Sequence, residues 1–337
     1  LGDPCVRQLA HSVFAPPLFL ALGLPSEHNN MAINAPQFEL TEQRQAWLTR
    51  LDEQPQPLHQ HLDTINSTRL GIYHEWLWLY FLQNDSQLNL LAHNSAVRHG
   101  GRTLGAFDFL YTENQQPDTL IHLEVATKYY LGLRPPLTQW RHWWGANTKD
   151  YLEHKLMHLL RHQSRLAETE AARTEHAIIR DWLTRQRPIT SRIQVGGRLF
   201  YPIQPQPECN DNISELTNAI QHPQKFAAPR DANPDHLRGL CLTRSQWQQI
   251  KATALQYYEV EKLSWLDPLF YSTTLTGDTQ DCEQLDKVEE SDRRAHFIMV
   301  QWPAPLNTRP TLWQAIIVVE DNWQERALQI CRELPAL

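Results

Sequence analysis

No closely spaced pair of cysteines occurs in this chain of 337 residues: the five stand at 5, 209, 241, 282 and 331, scattered and odd in number. That argues against a disulfide or zinc framework and favours reduced thiols in a cytoplasmic compartment. The apolar stretch from Phe14 to Pro25 (FAPPLFLALGLP) is broken by Pro16 and Pro17. It falls short of the roughly 18 residues that span a bilayer, so it reads as a buried N-terminal element rather than a signal peptide, and no membrane partner is expected. Positive charge is also in deficit. The formal charge of −7 argues against a protein that coats nucleic acid by bulk electrostatics, and confines any such binding to a local basic patch. There is no internal repeat, no GxSxG, no phosphate-binding P-loop and no dinucleotide fingerprint, which removes several common enzyme classes.

What is present is apolar and aromatic material enough for a large core: 41% hydrophobic residues and 12 Trp, fitting one elaborated domain or two. The patterning divides the chain into an N-terminal helical segment (1–67), a core (68–201), a loop-rich insertion (202–236) and a C-terminal α/β extension (237–337). Gln54 to His61 (QPQPLHQH) reads as a linker. The insertion is rich in Pro, Gln, Asn and Asp, with a short helix predicted near Ile213 to Ile220. In the extension, HFIMVQW and LWQAIIVVE read as strands and Asn322 to Glu333 as a helix.

The core carries the most order. Arg69 to Gln83 has Leu70, Tyr73, Leu77 and Tyr80 at helical spacing, with Glu75 among Trp and Leu neighbours. LNLLAHNSAVRHGGRTLGAFDFLY reads as a hairpin whose Gly100 and Gly101 supply the positive backbone angles of a tight turn. The polar loop TENQQPDT leads to a third strand, IHLEVATKYYL; a helix over Thr148 to Glu168 and a strand in SRIQVGGRLFYPI follow. The fold class is thus α/β (α+β), a mixed central sheet flanked by helices with core order α-β-β-β-α-β.

Residues two apart in a strand share a face. Ala106, Asp108 and Leu110 are therefore expected on one side and Phe107, Phe109 and Tyr111 on the other, while His122, Glu124, Ala126 and Lys128 share one face of the next strand. Pairing of these strands sets Asp108 beside Glu124, where like charges repel unless a cation lies between them. Glu75, Asp108, Glu124 and Lys128 form the ordered set of acids and one cation with which a protein can hold a divalent metal against a phosphodiester.

The phrases RLGIYHEWL, HGGRTLGAFDFLY, HLEVATKYYLG and WGANTKDYLEHKLMHLLRHQ together resemble a bacterial family of unknown function placed in the PD-(D/E)XK phosphodiesterase superfamily, which contains many nucleases. The resemblance covers roughly Leu70 to Leu166 with specific phrases. It implies a restriction-endonuclease-like core and a metal-dependent nuclease in which Asp108 and Glu124 hold Mg²⁺ or Mn²⁺, Lys128 offsets charge developing on the phosphate, and Glu75 helps place a water or second ion. The implied partner is DNA or RNA. His122, Lys149, Lys155 and Arg161 are candidates for contacts with it. The sequence departs from the superfamily in that the Lys normally two residues after the Glu is here Ala126, with Lys128 four residues after Glu124. The cation is displaced by two rises, roughly 6.5 Å, and Lys149 or Lys155 is an alternative source of it.

Blander readings stand beside these. The acids also fit a half-exposed pair on a solvated sheet face, Glu75 a structural ion pair, and Lys128 a strand end before Tyr129 and Tyr130. His154, His158 and His162 recur beside Lys155, Arg161 and Arg165; without a fourth ligand at matching spacing, they read as a solvated or phosphate-facing side rather than a zinc stripe. The alternative function is a catalytically inactive protein that keeps the fold as a binding module.

Overall fold

The apolar spacing read from the sequence becomes secondary structure over most of the chain in a computed structural model, which describes residues 1–23, 32–203, 216, 220, 226–267, 294–302 and 313–334. Helices α1 (Pro4–Phe14), α2 (Glu42–Glu53), α3 (Gln56–Leu62) and α4 (Leu70–Asn84) come first, with the short strands β1 (Ala21–Leu22) and β2 (Ile33–Asn34) pairing among them. Strands β3 (Leu88–His99), β4 (Arg102–Glu113), β5 (Gln116–Gly132) and β6 (Trp143–Trp144) lead to α5 (Leu152–His158), α6 (Glu170–Glu175) and α7 (Ala177–Thr184). Then come β7 (Ile189–Pro202), β8 (Arg238–Thr243), β9 (Gln256–Glu259), β10 (His296–Gln301) and β11 (Trp313–Val319). A helix over Arg244–Ile250 follows β8 and another, Trp323–Glu333, follows β11.

Among the described residues, β3 to β11 make a nine-stranded mixed sheet in the order β3-β4-β5-β7-β8-β11-β10-β9, with β6 alongside β5. Helices flank it. The element order α4, β3, β4, β5, α5, β7 is the predicted one, and the predicted C-terminal strands and helix are present. The β3–β4 turn has both glycines at positive φ, +55° at Gly100 and +79° at Gly101, as a two-residue hairpin turn requires. Gln54 to His61 is not a linker: α3 occupies it, because Leu58 and Leu62, four apart, bury on one side and Pro57 is tolerated in a first helical turn. The short helix expected near 213–220 lies, apart from Leu216 and Ile220, outside the described residues. Among those residues no helix is long and apolar enough to cross a membrane.

The chain forms two compact units. The first holds residues 1–128, 155–197 and 231–235. Its antiparallel β3-β4-β5 meander carries α4, whose Leu77, Trp78 and Phe81 are fully buried and whose Trp78 and Phe81 meet Phe38, itself against Tyr111. A second cluster joins Val97, Phe107, Leu110 and Leu120 to Leu166, Ala171, Ala172 and Ile179. The second unit holds residues 129–154, 198–230 and 236–337. There β8 and β11 pair in parallel and β11 with β10 antiparallel, over a core of Leu240, Leu242, Trp247, Ile250, Ile298, Val300, Ile316 and Val318.

In the first unit β7 presses close to β5. Gly197 has φ +113°, and an added Cβ would collide with the Lys128 backbone carbonyl. Gly197→Ala is therefore expected to destabilise the protein by about 3 kcal/mol, backbone strain adding to overpacking. A lower urea midpoint at unchanged m-value reports it; an unchanged midpoint rules the close approach out.

Candidate active site

Asp108 and Glu124 stand where β4 and β5 part. The ladder between the strands runs from Glu113↔Gln116 to Phe109↔Leu123, and at the next position the Val125 backbone N–H donates to Asp108 Oδ2 at 3.0 Å instead. Strict alternation fails here. Phe107 packs with Leu110 against Leu166 and Ile179, whereas Phe109 stacks on His93 of β3. Across the ladder, β3 keeps its register from His93↔Phe109 to Ser95↔Phe107, with the intervening Asn94 at φ +46°. Held by the Val125 N–H of β5, Asp108 lies close enough to Glu124 to feel its charge.

Glu124 has no exposed surface. Its Oε1 lies 2.7 Å from His122 Nε2, and Gln163 Nε2 donates to its Oε2. Gln163 Oε1 in turn accepts from Lys155 Nζ at 3.2 Å and lies 3.0 Å from His158 Nδ1. A chain of contacts thus runs from Lys155 through Gln163 to Glu124. Glu75 of α4 pairs with His93 of β3, Oε1 to Nε2 2.8 Å, and its charge reaches both acids of the pair.

Both carboxyls are held well above the usual carboxylate range. For Asp108 burial is the largest cause, followed by the charge of Glu124; the Val125 N–H and Lys155 pull the other way. Burial also raises Glu124, against hydrogen bonds from Asp108 and the charge of Lys155. The pair therefore retains a proton near neutral pH and titrates as a unit. Burial lowers His122 to about 4, so its ring is neutral. With Nε2–H donating to a carboxylate, the unpartnered His122 Nδ1 is a bare acceptor, less costly than a buried orphan N–H donor.

The structure thus brings Asp108, Glu124, Glu75 and Lys155 together. His122, with no exposed surface, is placed to orient Glu124 and not to touch a substrate. Lys128 lies half-buried on β5, four residues beyond Glu124; the cation acting on both acids is Lys155. Arg161 is exposed on the turn that carries Gln163, while Lys149 is exposed in the second unit, its N–H bonded to Asn147 Oδ1 at 3.0 Å. No set of three His, Cys, Asp or Glu donors among the described residues includes the acid pair within 4.8 Å.

Gln163 was not anticipated. A π turn over Leu159–Gln163, closed by Ser164 N–H donating to Leu159 O at 2.9 Å, places it. In a regular helix, eight residues advance about 80° past a whole number of turns; the extra residue of the π turn brings Gln163 back to the side of Lys155. Such turns often mark functional sites. The one trace in the sequence is a polar Gln where the buried stripe Leu152, Leu156, Leu159 and Leu160 calls for an apolar residue.

A family model described as Domain of unknown function (DUF1853) matches residues 7–317. No curated protein and no solved structure matches the chain. With nearly its whole length matched, the chain belongs to the DUF1853 family.

Proposed function

We propose that the protein is a metal-dependent nuclease, hydrolysing nucleic-acid phosphodiester bonds at the fork between β4 and β5. The reading rests on one observation: two adjacent carboxyls, Glu124 buried and Asp108 half-buried, whose ionised forms are destabilised by desolvation and, for Asp108, by the charge of Glu124, an arrangement that a cation relieves. The resemblance to the PD-(D/E)XK superfamily and the order of elements support it. The donors fit Mg²⁺ or Mn²⁺, since Asp108 and Glu124 offer only hard oxygen ligands, with Glu75 near them. Bound there, such an ion supplies positive charge where the phosphate becomes more negative.

The protein's own groups have distinct tasks. Asp108 and Glu124 hold the ion, and His122 fixes the Glu124 carboxylate. Gln163 covers the other Glu124 oxygen and links it to Lys155. Lys155 takes the part first assigned to Lys128, offsetting charge on the scissile phosphate, and Arg161 on the neighbouring turn offers a backbone phosphate contact. The three free cysteines among the described residues, Cys5, Cys241 and Cys331, suit a cytoplasmic setting.

The second reading, a catalytically silent binding module, is favoured by the full cover over Glu124. A cleavage screen separates the two. Incubated with plasmid DNA, single-stranded DNA or structured RNA in Mn²⁺ or Mg²⁺, the wild-type chain is expected to cut at least one substrate and to stop on chelation. Absence of cleavage with every metal and substrate makes the binding module the better reading.

A further inference from the structure

The first unit contains another convergence of metal-ligating side chains, remote in sequence from the acid pair. Asp3 caps α1, its Oδ1 accepting the Val6 N–H at 3.1 Å. Cys5 lies in the first turn of the same helix, and His59 of α3 sets Nε2 2.9 Å from Asp3 Oδ2. One donor atom from each of Asp3, Cys5 and His59 lies within 4.8 Å of the other two, the only such trio of His, Cys, Asp or Glu among the described residues. The fold does not require all three. The cap uses one Asp3 oxygen, and the half-buried thiol has only a long contact of 3.8 Å with the Tyr73 hydroxyl, which itself donates to Gln8 Oε1.

We propose that Asp3, Cys5 and His59 form a site for a thiophilic divalent metal of the zinc class, tying α1 to α3. A sulfur, a nitrogen and an oxygen donor make a set that zinc accepts and that Mg²⁺ does not. Carboxylate and thiolate together neutralise a divalent ion. Zinc–nitrogen and zinc–sulfur bonds of about 2.0 and 2.3 Å put tetrahedral donors about 3.3–3.8 Å apart. Asp3 Oδ2 and His59 Nε2, 2.9 Å apart, must therefore open slightly, while donors within 4.8 Å of one another close by at most about 1.5 Å, adjustments within reach of rotation of His59, whose side chain is 41% exposed. Asp52, accepting the Gly2 and Asp3 N–H groups at 2.7–2.9 Å, adds to a negative surrounding field, as does Asp63 near Cys5. Three protein ligands leave a fourth position for water.

Co²⁺ is the probe, added to the full chain under reducing conditions. A thiolate-to-cobalt charge-transfer band is expected at one equivalent, bleached by Zn²⁺, absent in Cys5→Ser and at least about tenfold weaker in apparent affinity in His59→Ala. Cys241→Ser and Cys331→Ser should keep it. Zn²⁺ should raise the melting temperature of wild type but not of Cys5→Ser. Asp108→Asn should leave the band intact, so failure of the nuclease reading leaves this site standing. No band in the wild type, or a band that survives Cys5→Ser, overturns the proposal; a capping pair beside an inert thiol is then the whole of the feature.

Discussion

Replacing Lys155 by Ala is expected to lower metal-dependent cleavage by about 10²–10³-fold, the usual cost of removing one group that stabilises charge only in the transition state. Metal affinity should not fall with it. The Lys155 charge favours ionisation of Asp108 and Glu124, but it also repels any cation they hold, and these effects oppose one another at the binding step. Lys128→Ala should be mild, since Lys128 sits four residues along the strand from Glu124. Gln163→Leu separates the relay from the charge: it removes the contact between Lys155 and Glu124 while keeping both, and should cost about 10–100-fold, as supporting groups around a metal ligand do. Single-turnover rates beside Mn²⁺ titration distinguish these outcomes. A large loss in Lys128→Ala with Lys155→Ala unaffected restores the strand lysine to the role; full activity in both ends the assigned mechanism.

The difference between the two lysines shows where the sequence was legible. Elements whose side chains repeat with a fixed period could be read directly: α4 from Leu70, Tyr73 and Leu77, and the β3–β4 hairpin from alternation and its two glycines. The neighbourhood of Asp108 and Glu124 followed from pairing adjacent strands, the two acids standing one position beyond the last pair of that ladder, Phe109↔Leu123. What stayed hidden depends on departures from period. Alternation fails around Asp108, opposite the positive φ of Asn94, and the π turn at Leu159–Gln163 re-aims Gln163 by one residue's worth of rotation; no regular template contains either departure. The helix α3 was missed for a different reason. QPQPLHQH reads as a linker, yet Pro55 takes the N-cap and Pro57 the first turn of the helix, where a proline is tolerated because the N–H groups have no partner within the helix.

The charge on the acid pair gives the other large expected effect, through Asp108→Asn. Loss of a carboxylate that holds the ion should reduce cleavage by about 10³-fold or more, the equivalent of several kcal/mol of charge stabilisation, and should abolish the rise in melting temperature that Mn²⁺ gives the wild type. The metal-free proteins should differ with pH in a defined sense. Asp108 is held above its unfolded value of about 3.9, so between the unfolded and folded values the native state binds more protons. Its stabilising contribution is complete below the unfolded value and is lost as pH rises through the raised folded one. Wild-type melting temperature in chelator should therefore decline from about pH 5 to about pH 9 more steeply than that of Asp108→Asn, whose amide stays neutral throughout and leaves Glu124 without a charged neighbour. Mn²⁺ should act in the opposite direction, its stabilisation growing over the same range because the ion displaces the proton the pair retains. Parallel pH profiles for the two proteins, with equal responses to Mn²⁺, would remove the pair from metal binding and leave Glu124 as a covered structural acid.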